Sequence, residues 1–469
     1  MIFNPKISIL SSGYFRIPKQ VRATAHPCLD RDVIRDFWHG FTFRTTTLTV
    51  TAADTTFFRI GSTEPLPLDG HAYSIHVDEN GVCIYAEDER DLRLGMMTLL
   101  DRIRMIDEGD LSVCVIDCCQ IKDSPTIQTR MVHFCIFPET KLWEIQKFIR
   151  FSAALKYTHL ILEFWGMLQY DCLKELSWEH AFTKAEIRPL IAEAKALGLE
   201  IVPMFNHWGH ASASRVMHGK HVVLDQNPTL QYLFSDNGWC WDIRSARVRA
   251  LLGEIRRELI ELCGDGEYFH IGCDEAYGFD MTKKEARDAL CAYVNEISAE
   301  LKRQGRRAIA WGDMFLCKRP SYNPKNAYVC NAPTPEAEAD MLARLSRDVI
   351  IADWQYDATE APVETAFVFR DAGFDTLLCP WDRSVDKLNS CLSTVKDARL
   401  YGLLHTTWHT LSKGMPYVML AALGGFESIE GIRASRVASK AASLLRKVYF
   451  ADGDYEKSGW AKSQIRIPY

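Results

Sequence analysis

The chain has 469 residues, of which 47% are hydrophobic and 25% charged, with a net charge of −6 at pH 7. That length fits one large domain plus a smaller one, with a sizeable core. The acidic balance leaves no basic footprint for nucleic acid, and no apolar run reaches the ~18 residues that suggest a membrane span.

The N-terminus, MIFNPKISILSSGYF, lacks a charged segment followed by a long apolar one, so a cytoplasmic location is expected. The 15 cysteines are scattered, odd in number and without a C-x-x-C pair. They read as buried small hydrophobes in a reducing compartment, not as a disulfide framework or zinc ribbon. No fixed-period repeat or low-complexity tract is present, and the oligomeric state is not legible.

Residues 1–125 read as a small α+β domain. Phe41 to Ala52, rich in Thr and Val, is expected to be a strand. His71–Val77 and Val82–Ala86 read as a hairpin turned at Asn80-Gly81. Leu92, Leu94, Met96, Leu99, Leu100 and Ile103 give Asp91–Ile106 the spacing of an amphipathic helix. Leu111–Ile116 is the expected closing strand, and Ile121–Pro125 the linker.

From Thr126 short apolar strands alternate with longer helical stretches. Strands are expected at Met131–Phe137, His159–Phe164, Glu200–Phe205, Tyr268–Ile271, Ala308–Trp311, Val349–Trp354, Thr376–Pro380 and Gly402–Thr406. Helices are expected at Lys141–Leu155, from Thr183 to Gly198, from Ser245 to Cys263 and at Lys283–Arg303. Thr183-Lys-Ala-Glu186 is a capping box, and Gly198 a helix stop. The alternation predicts a (β/α)8 TIM barrel over 126–469.

Barrel enzymes keep their chemistry at the C-terminal strand ends. Those ends carry Glu163, Trp165, Asn206, His207, His210, Asp274, Glu275, Trp311, Asp313, Trp354, Tyr356, Trp381, Asp382, Trp408 and His409. Trp recurs at five of them. Aromatic faces suit the C–H face of a sugar ring, and carboxylates and amides suit its hydroxyls, so the mixture reads as a carbohydrate pocket. Metal binding is the competitor, with His207 and His210 three apart and His405 and His409 four apart. The first strand carries only His133, which reads as a satisfied core histidine, so neither a metal nor a cofactor is expected.

The stretch Tyr268 to Tyr277, YFHIGCDEAY, is the focus. His270-Ile-Gly-Cys-Asp-Glu275 resembles the H-x-G-G-D-E signature of family 20 glycoside hydrolases, the β-N-acetylhexosaminidases. Residues 71–106 resemble the small domain preceding the barrel in that family, and 182–210 resemble its stretch ending in P-G-H. The cysteine of HIGCDE and Leu162–Met167 are most similar to the hexosaminidase D branch.

The resemblance implies an exo-acting retaining enzyme that removes terminal β-linked GalNAc or GlcNAc from glycans or glycosides. It implies Asp274 as the group orienting the substrate's 2-acetamido group and Glu275 as general acid/base. It also implies His210 as the residue tuning that acid, and Trp311, Trp354 and Trp408 as aromatic walls. Asn206 stands where many members have Asp, and Tyr356 is the candidate donor to the acetamido oxygen. Pro138 replaces the family's sugar-binding arginine, and Trp408-His409-Thr410 replaces its Trp-x-Glu. Glu163, His409 or Asp382 are the candidate replacements. These departures keep open a same-scaffold glycosidase for a different or modified sugar, and a silent glycan-binding barrel.

Overall fold

The computed structural model describes residues 2–109, 111–211, 221–408 and 411–449, and every count or absence stated refers to those residues. The N-terminal part holds β1 (Ile7–Arg16), β2 (Gln20–Ala25), α1 (Arg31–Phe41), β3 (Thr47–Ala52), β4 (Phe57–Gly61), β5 (Tyr73–Asp78), β6 (Gly81–Ala86), α2 (Glu89–Arg102), β7 (Arg104–Glu108) and β8 (Leu111–Asp123). The sheet runs β1-β8-β5-β6-β4-β2-β3, with β7 also paired to β8.

Four expectations are corrected here. The strand at Phe41–Ala52 begins only at Thr47, because Ile34, Phe37, Trp38 and Phe41 form the buried face of α1. That helix is capped by Asp30, whose side chain accepts from the amides of Asp32 and Val33. The hairpin loop is Glu79-Asn80, not Asn80-Gly81, because Gly81 pairs with Asp78 and a Cβ there would lie 2.0 Å from the Ile60 carbonyl oxygen. Helix α2 stops at Arg102, since Arg104–Glu108 pairs with Leu111–Val115. Ile121 to Asp123 belong to β8 and not to a linker, and Ile121 pairs with Ser8 on one side and Ile75 on the other.

The barrel consists of β9 (Thr129–Cys135), α3 (Leu142–Ala154), β10 (His159–Glu163), α4 (Lys184–Ala196), β11 (Glu200–Met204), α5 (Ala246–Cys263), β12 (Tyr268–His270) and α6 (Lys284–Arg303). It continues with β13 (Arg307–Trp311), α7 (Pro335–Arg344), β14 (Ile350–Asp353), α8 (Thr365–Asp371), β15 (Thr376–Leu378), α9 (Val385–Asp397), β16 (Gly402–His405), α10 (Leu411–Gly424) and α11 (Ala434–Tyr449). Strands β9 to β16 form a closed parallel barrel, with Gly402–His405 pairing Thr129–Val132 to shut it. Both faces of such strands are covered, which is why they appear as unbroken apolar runs. Met131, Ile161, Val202, Ile309, Ile350 and Leu377 cluster together in one buried core. Around the barrel the helices bury their own apolar stripes.

Two local signals are realised as read. Thr183 Oγ1 accepts from the Glu186 amide at 3.2 Å while Glu186 Oε2 accepts from the Thr183 amide at 2.8 Å. Gly198 has φ +83°, the left-handed stop after α4. All 15 cysteines are free thiols, and only Cys28, Cys172 and Cys330 are more than slightly exposed. No described helix is long and apolar enough to cross a membrane.

Candidate active site

Strand β12 ends at His270, and the next six residues turn sharply. Gly272 (φ +67°), Cys273 (φ +75°) and Glu275 (φ +44°) all take left-handed backbone. Gly272 is required, because a Cβ there would meet Asn206 Oδ1 at 2.2 Å. Trp165 and His210 also have positive φ, so four of the nine non-glycine cases among the described residues lie at this mouth. Each costs about 1–2 kcal/mol, and such strain gathers where side chains must be aimed.

Four contacts hold Glu275 in place. Its amide donates to Asp313 Oδ2 at 3.0 Å. Trp239 Nε1 donates to its carbonyl oxygen at 2.6 Å, as does the Tyr277 amide at 2.7 Å. The Tyr277 hydroxyl donates to Glu275 Oε1 at 2.9 Å. Gly209 presses against the same turn, so closely that a Cβ there would lie 1.8 Å from the Asp274 carbonyl oxygen.

The two carboxylates diverge. Asp274 is 7% exposed, and its Oδ1 is buried with no hydrogen-bond partner among the described residues. Its Oδ2 lies 3.4 Å from His210 Nε2, which is also 2.9 Å from Glu275 Oε2. Burial disfavours the imidazolium of His210, but Asp274 and Glu275 outweigh it and raise the pKa to about 10. His210 is therefore a cation between two acids at neutral pH. Two other histidines of the barrel, His207 and His405, behave differently. His207 is packed against Phe205, Phe269 and Tyr293 with its pKa pushed down by burial, and burial lowers His405 to about 3.

Glu163, at the end of β10, is buried. Its Oε1 accepts from Asn206 Nδ2 at 2.7 Å, and its Oε2 lies 2.9 Å from His133 Nε2. The Thr407 amide donates to His133 Nδ1 at 3.3 Å, which leaves the proton on Nε2, facing Glu163. Glu163, Trp165, Asn206 and His210 line a small cavity of about 20 Å³, room for about one water.

The aromatic residues complete a ring around the mouth. Trp354 Nε1 donates to Asp313 Oδ1 at 3.1 Å and stacks 5.1 Å from Tyr356. Tyr356 accepts from Trp408 Nε1 at 2.6 Å and lies 5.3 Å from Trp381. Trp408 packs on His133 at 4.4 Å and on Trp311 at 5.8 Å. Trp311 is 1% exposed, so it forms the floor beneath Trp408 and not an open wall. Asp382 is buried next to α10, where its charge adds to burial in raising the Tyr417 pKa. His409 and Thr410 lie outside the described residues.

Asp313 was visible at a strand end but had no assigned part. It is fully buried, accepts also from Asn331 Nδ2 at 2.8 Å, and has its pKa raised to about 7 by burial and by Asp274. Trp239, Tyr277 and Asn331 were missed altogether. Trp239 sits in Gly238-Trp-Cys-Trp241, an aromatic-rich loop that could have drawn attention. Three His/Cys/Asp/Glu groups have ligand-capable atoms within 4.8 Å of one another: His210-Asp274-Glu275, His133-Cys135-Glu163 and His159-Glu200-Glu267. The hydrogen bonds already described draw together the first group and the His133–Glu163 pair of the second, while Cys135 Sγ accepts from Trp165 Nε1 at 2.9 Å.

Residues 158–379 match the model of the glycosyl hydrolase family 20 catalytic domain. The chain is 23% identical over 316 residues to human hexosaminidase D, covering 66% of this chain and 60% of that protein. It is 22% identical over 281 residues to lacto-N-biosidase of Bifidobacterium bifidum, covering 55% of this chain and 21% of that one. The chain thus spans less than two thirds of the curated relatives it matches. The family 20 exo-β-N-acetylglucosaminidase of Vibrio harveyi, solved with N-acetylglucosamine, superposes with a TM-score of 0.68 at 16% identity, covering 96% of this chain and 77% of that one. The N-acetyl-β-hexosaminidase of Streptomyces plicatus, in complex with Thio-NAglucal, gives 0.64 at 15% identity, covering 96% and 94%. At these identities the chain shares with them its fold.

Proposed function

We propose that the chain is an exo-acting, retaining β-N-acetylhexosaminidase that removes terminal β-linked GalNAc or GlcNAc with help from the substrate's own acetamido group. The observation that carries this reading is Asp274 Oδ1, a buried carboxylate oxygen without a hydrogen-bond donor, beside a second acid on the same turn. A buried acceptor left unmatched costs about 1–3 kcal/mol, and a substrate N–H would satisfy it.

The residues divide the work. Asp274 accepts the amide N–H and turns the carbonyl oxygen toward the anomeric carbon. That oxygen attacks, the glycosidic bond breaks, and Glu275 gives its proton to the departing oxygen. The cyclic oxazolinium carries positive charge beside Asp274, where a fixed carboxylate in a dry site is most effective. Glu275, now a carboxylate, takes a proton from water, and the hydroxide opens the ring from the face the leaving group vacated. Two inversions give net retention, and no enzyme nucleophile is needed, which places the reaction among the exceptions to the two-carboxylate scheme. His210 holds the two acids in register. Tyr356, within the aromatic ring, is our candidate donor to the acetamido oxygen. Trp354, Trp381 and Trp408 offer faces for the sugar. Glu163 and Asn206 replace the missing arginine as partners for its hydroxyls, with His409 and Asp382 as further candidates.

The test is hydrolysis of aryl β-GlcNAc, β-GalNAc and β-glucoside substrates side by side. The reading requires cleavage of at least one acetamido sugar and sparing of the glucoside. Cleavage of the glucoside alone would remove the acetamido nucleophile from the account.

A further inference from the structure

Around the acidic turn exposure rises from Asp274 to Glu275 to Tyr277, with Ala276 buried between the last two. Asp274 is 7% exposed, Glu275 is half-buried, and Tyr277 is 58% exposed. Single exposed aromatics are ordinary, but this one is built into the site. Its hydroxyl donates to the Glu275 carboxylate at 2.9 Å. Its ring lies nearly parallel to that of Trp239, with centroids 6.4 Å apart and an interplanar angle of 16°. Trp239 is itself fixed by its bond to the Glu275 carbonyl and by the His210 ring 4.5 Å away. Two aromatic rings are thus tied to the carboxylate and the backbone of one glutamate, and the outer ring faces water.

We propose that Tyr277, backed by Trp239, is the platform that receives the leaving group, and that it takes a second sugar ring by its C–H face. This rests on the hydrolase reading given above. If Glu275 protonates the glycosidic oxygen, that oxygen lies within hydrogen-bond reach of Glu275. The acetamido sugar occupies the inner side with Asp274, so the departing ring extends outward past Glu275, where Tyr277 stands. A tyrosine suits that place, presenting an apolar face while its hydroxyl keeps Glu275 aimed. Tyr277 exchanges no proton in the step. The proton passes from Glu275 to the leaving oxygen as the C–O bond breaks, and the sugar departs as a neutral alcohol. Burial and the nearby Glu275 raise the phenol pKa, which keeps it a donor.

The experiment compares Tyr277→Phe with Tyr277→Ala, because both lack the hydroxyl and differ only in the ring. The N-acetylhexosaminide cleaved by the wild type is prepared with a methyl and with a hexose leaving group. Between Phe and Ala, kcat/KM on the hexose substrate is expected to fall about fivefold, chiefly through KM, with the methyl glycoside changed by less than about twofold. Equal falls on both substrates, or no fall on either, would overturn the platform. If the wild type cleaves no N-acetylhexosaminide, the hydrolase reading fails and not the platform. Saturation transfer from the protein to the hexose ring of the same disaccharide then reads the platform directly. Loss of transfer in Tyr277→Ala supports it, and unchanged transfer overturns it.

Discussion

Nε2 of His210 lies 2.9 Å from Oε2 of Glu275. With Asp274 Oδ2 at 3.4 Å from the same nitrogen, one ring spans both acids. His210 is expected to stay protonated through neutral pH, since the two carboxylates raise its pKa to about 10. Ring 15N shifts followed against pH check this: the His210 signals should hold from pH 6 to 8. His210→Asn tolerates the positive φ while removing the cation, so turnover should fall by about tenfold or more with the fold intact.

Glu275→Gln keeps the shape of the acid and removes its proton. On alkyl or sugar leaving groups kcat should drop about 10²–10⁴-fold, and far less on activated aryl groups that depart unaided. Asp274→Asn should spare binding of the leaving sugar and weaken a thiazoline mimic of the oxazolinium. Steady-state rates with paired leaving groups and thiazoline inhibition constants measure both.

The glycines near the site separate a strict requirement from a tolerant one. Gly209→Ala would drive a methyl group into the Asp274 carbonyl, 1.8 Å from the added carbon. It should cost about 1–3 kcal/mol of stability and most activity. Gly253, inside α5, has only Arg256 Nη2 within reach, at 3.6 Å, an ordinary van der Waals contact. Gly253→Ala should stabilise by about 0.5–1 kcal/mol and leave activity alone. Denaturant melts with activity assays report both.

Asp313 gives stability a pH dependence. Its pKa is raised from 3.8 to about 7 by burial and by Asp274. Between those values the folded chain binds a proton that the unfolded chain does not. The contribution is therefore fully present below about pH 4 and lost as pH rises through 7. Asp313→Asn should flatten that fall in denaturant melts taken from pH 4 to 8. It should also lower kcat, because Glu275 and Trp354 both donate to this carboxylate.

The barrel was legible because its parallel strands are covered on both faces, so their apolar runs stand out between capped helices. Asp274 and Glu275 were legible because their neighbourhood in the chain is their neighbourhood in space. The N-terminal sheet was harder to read. Strand β1 is exposed at most positions, and β2 alternates but buries only Val21, Ala23 and Ala25, so neither offers a strong apolar run. The bonds of Asp313 to Glu275 and of Glu163 to His133 join residues 38 and 30 positions apart. Such pairs exist only once the barrel closes, and no local pattern announces them. Tyr277 was hidden for a different reason, since an aromatic two residues past an acid has no periodic signature.

The central claim is that the nucleophile belongs to the substrate. Replacing the acetamido methyl hydrogens by one, two and three fluorines weakens the carbonyl oxygen while leaving the leaving group unchanged. The account predicts that kcat/KM for the wild type falls stepwise along that series. A rate that does not change with fluorination would contradict it, because the attacking atom would then lie elsewhere.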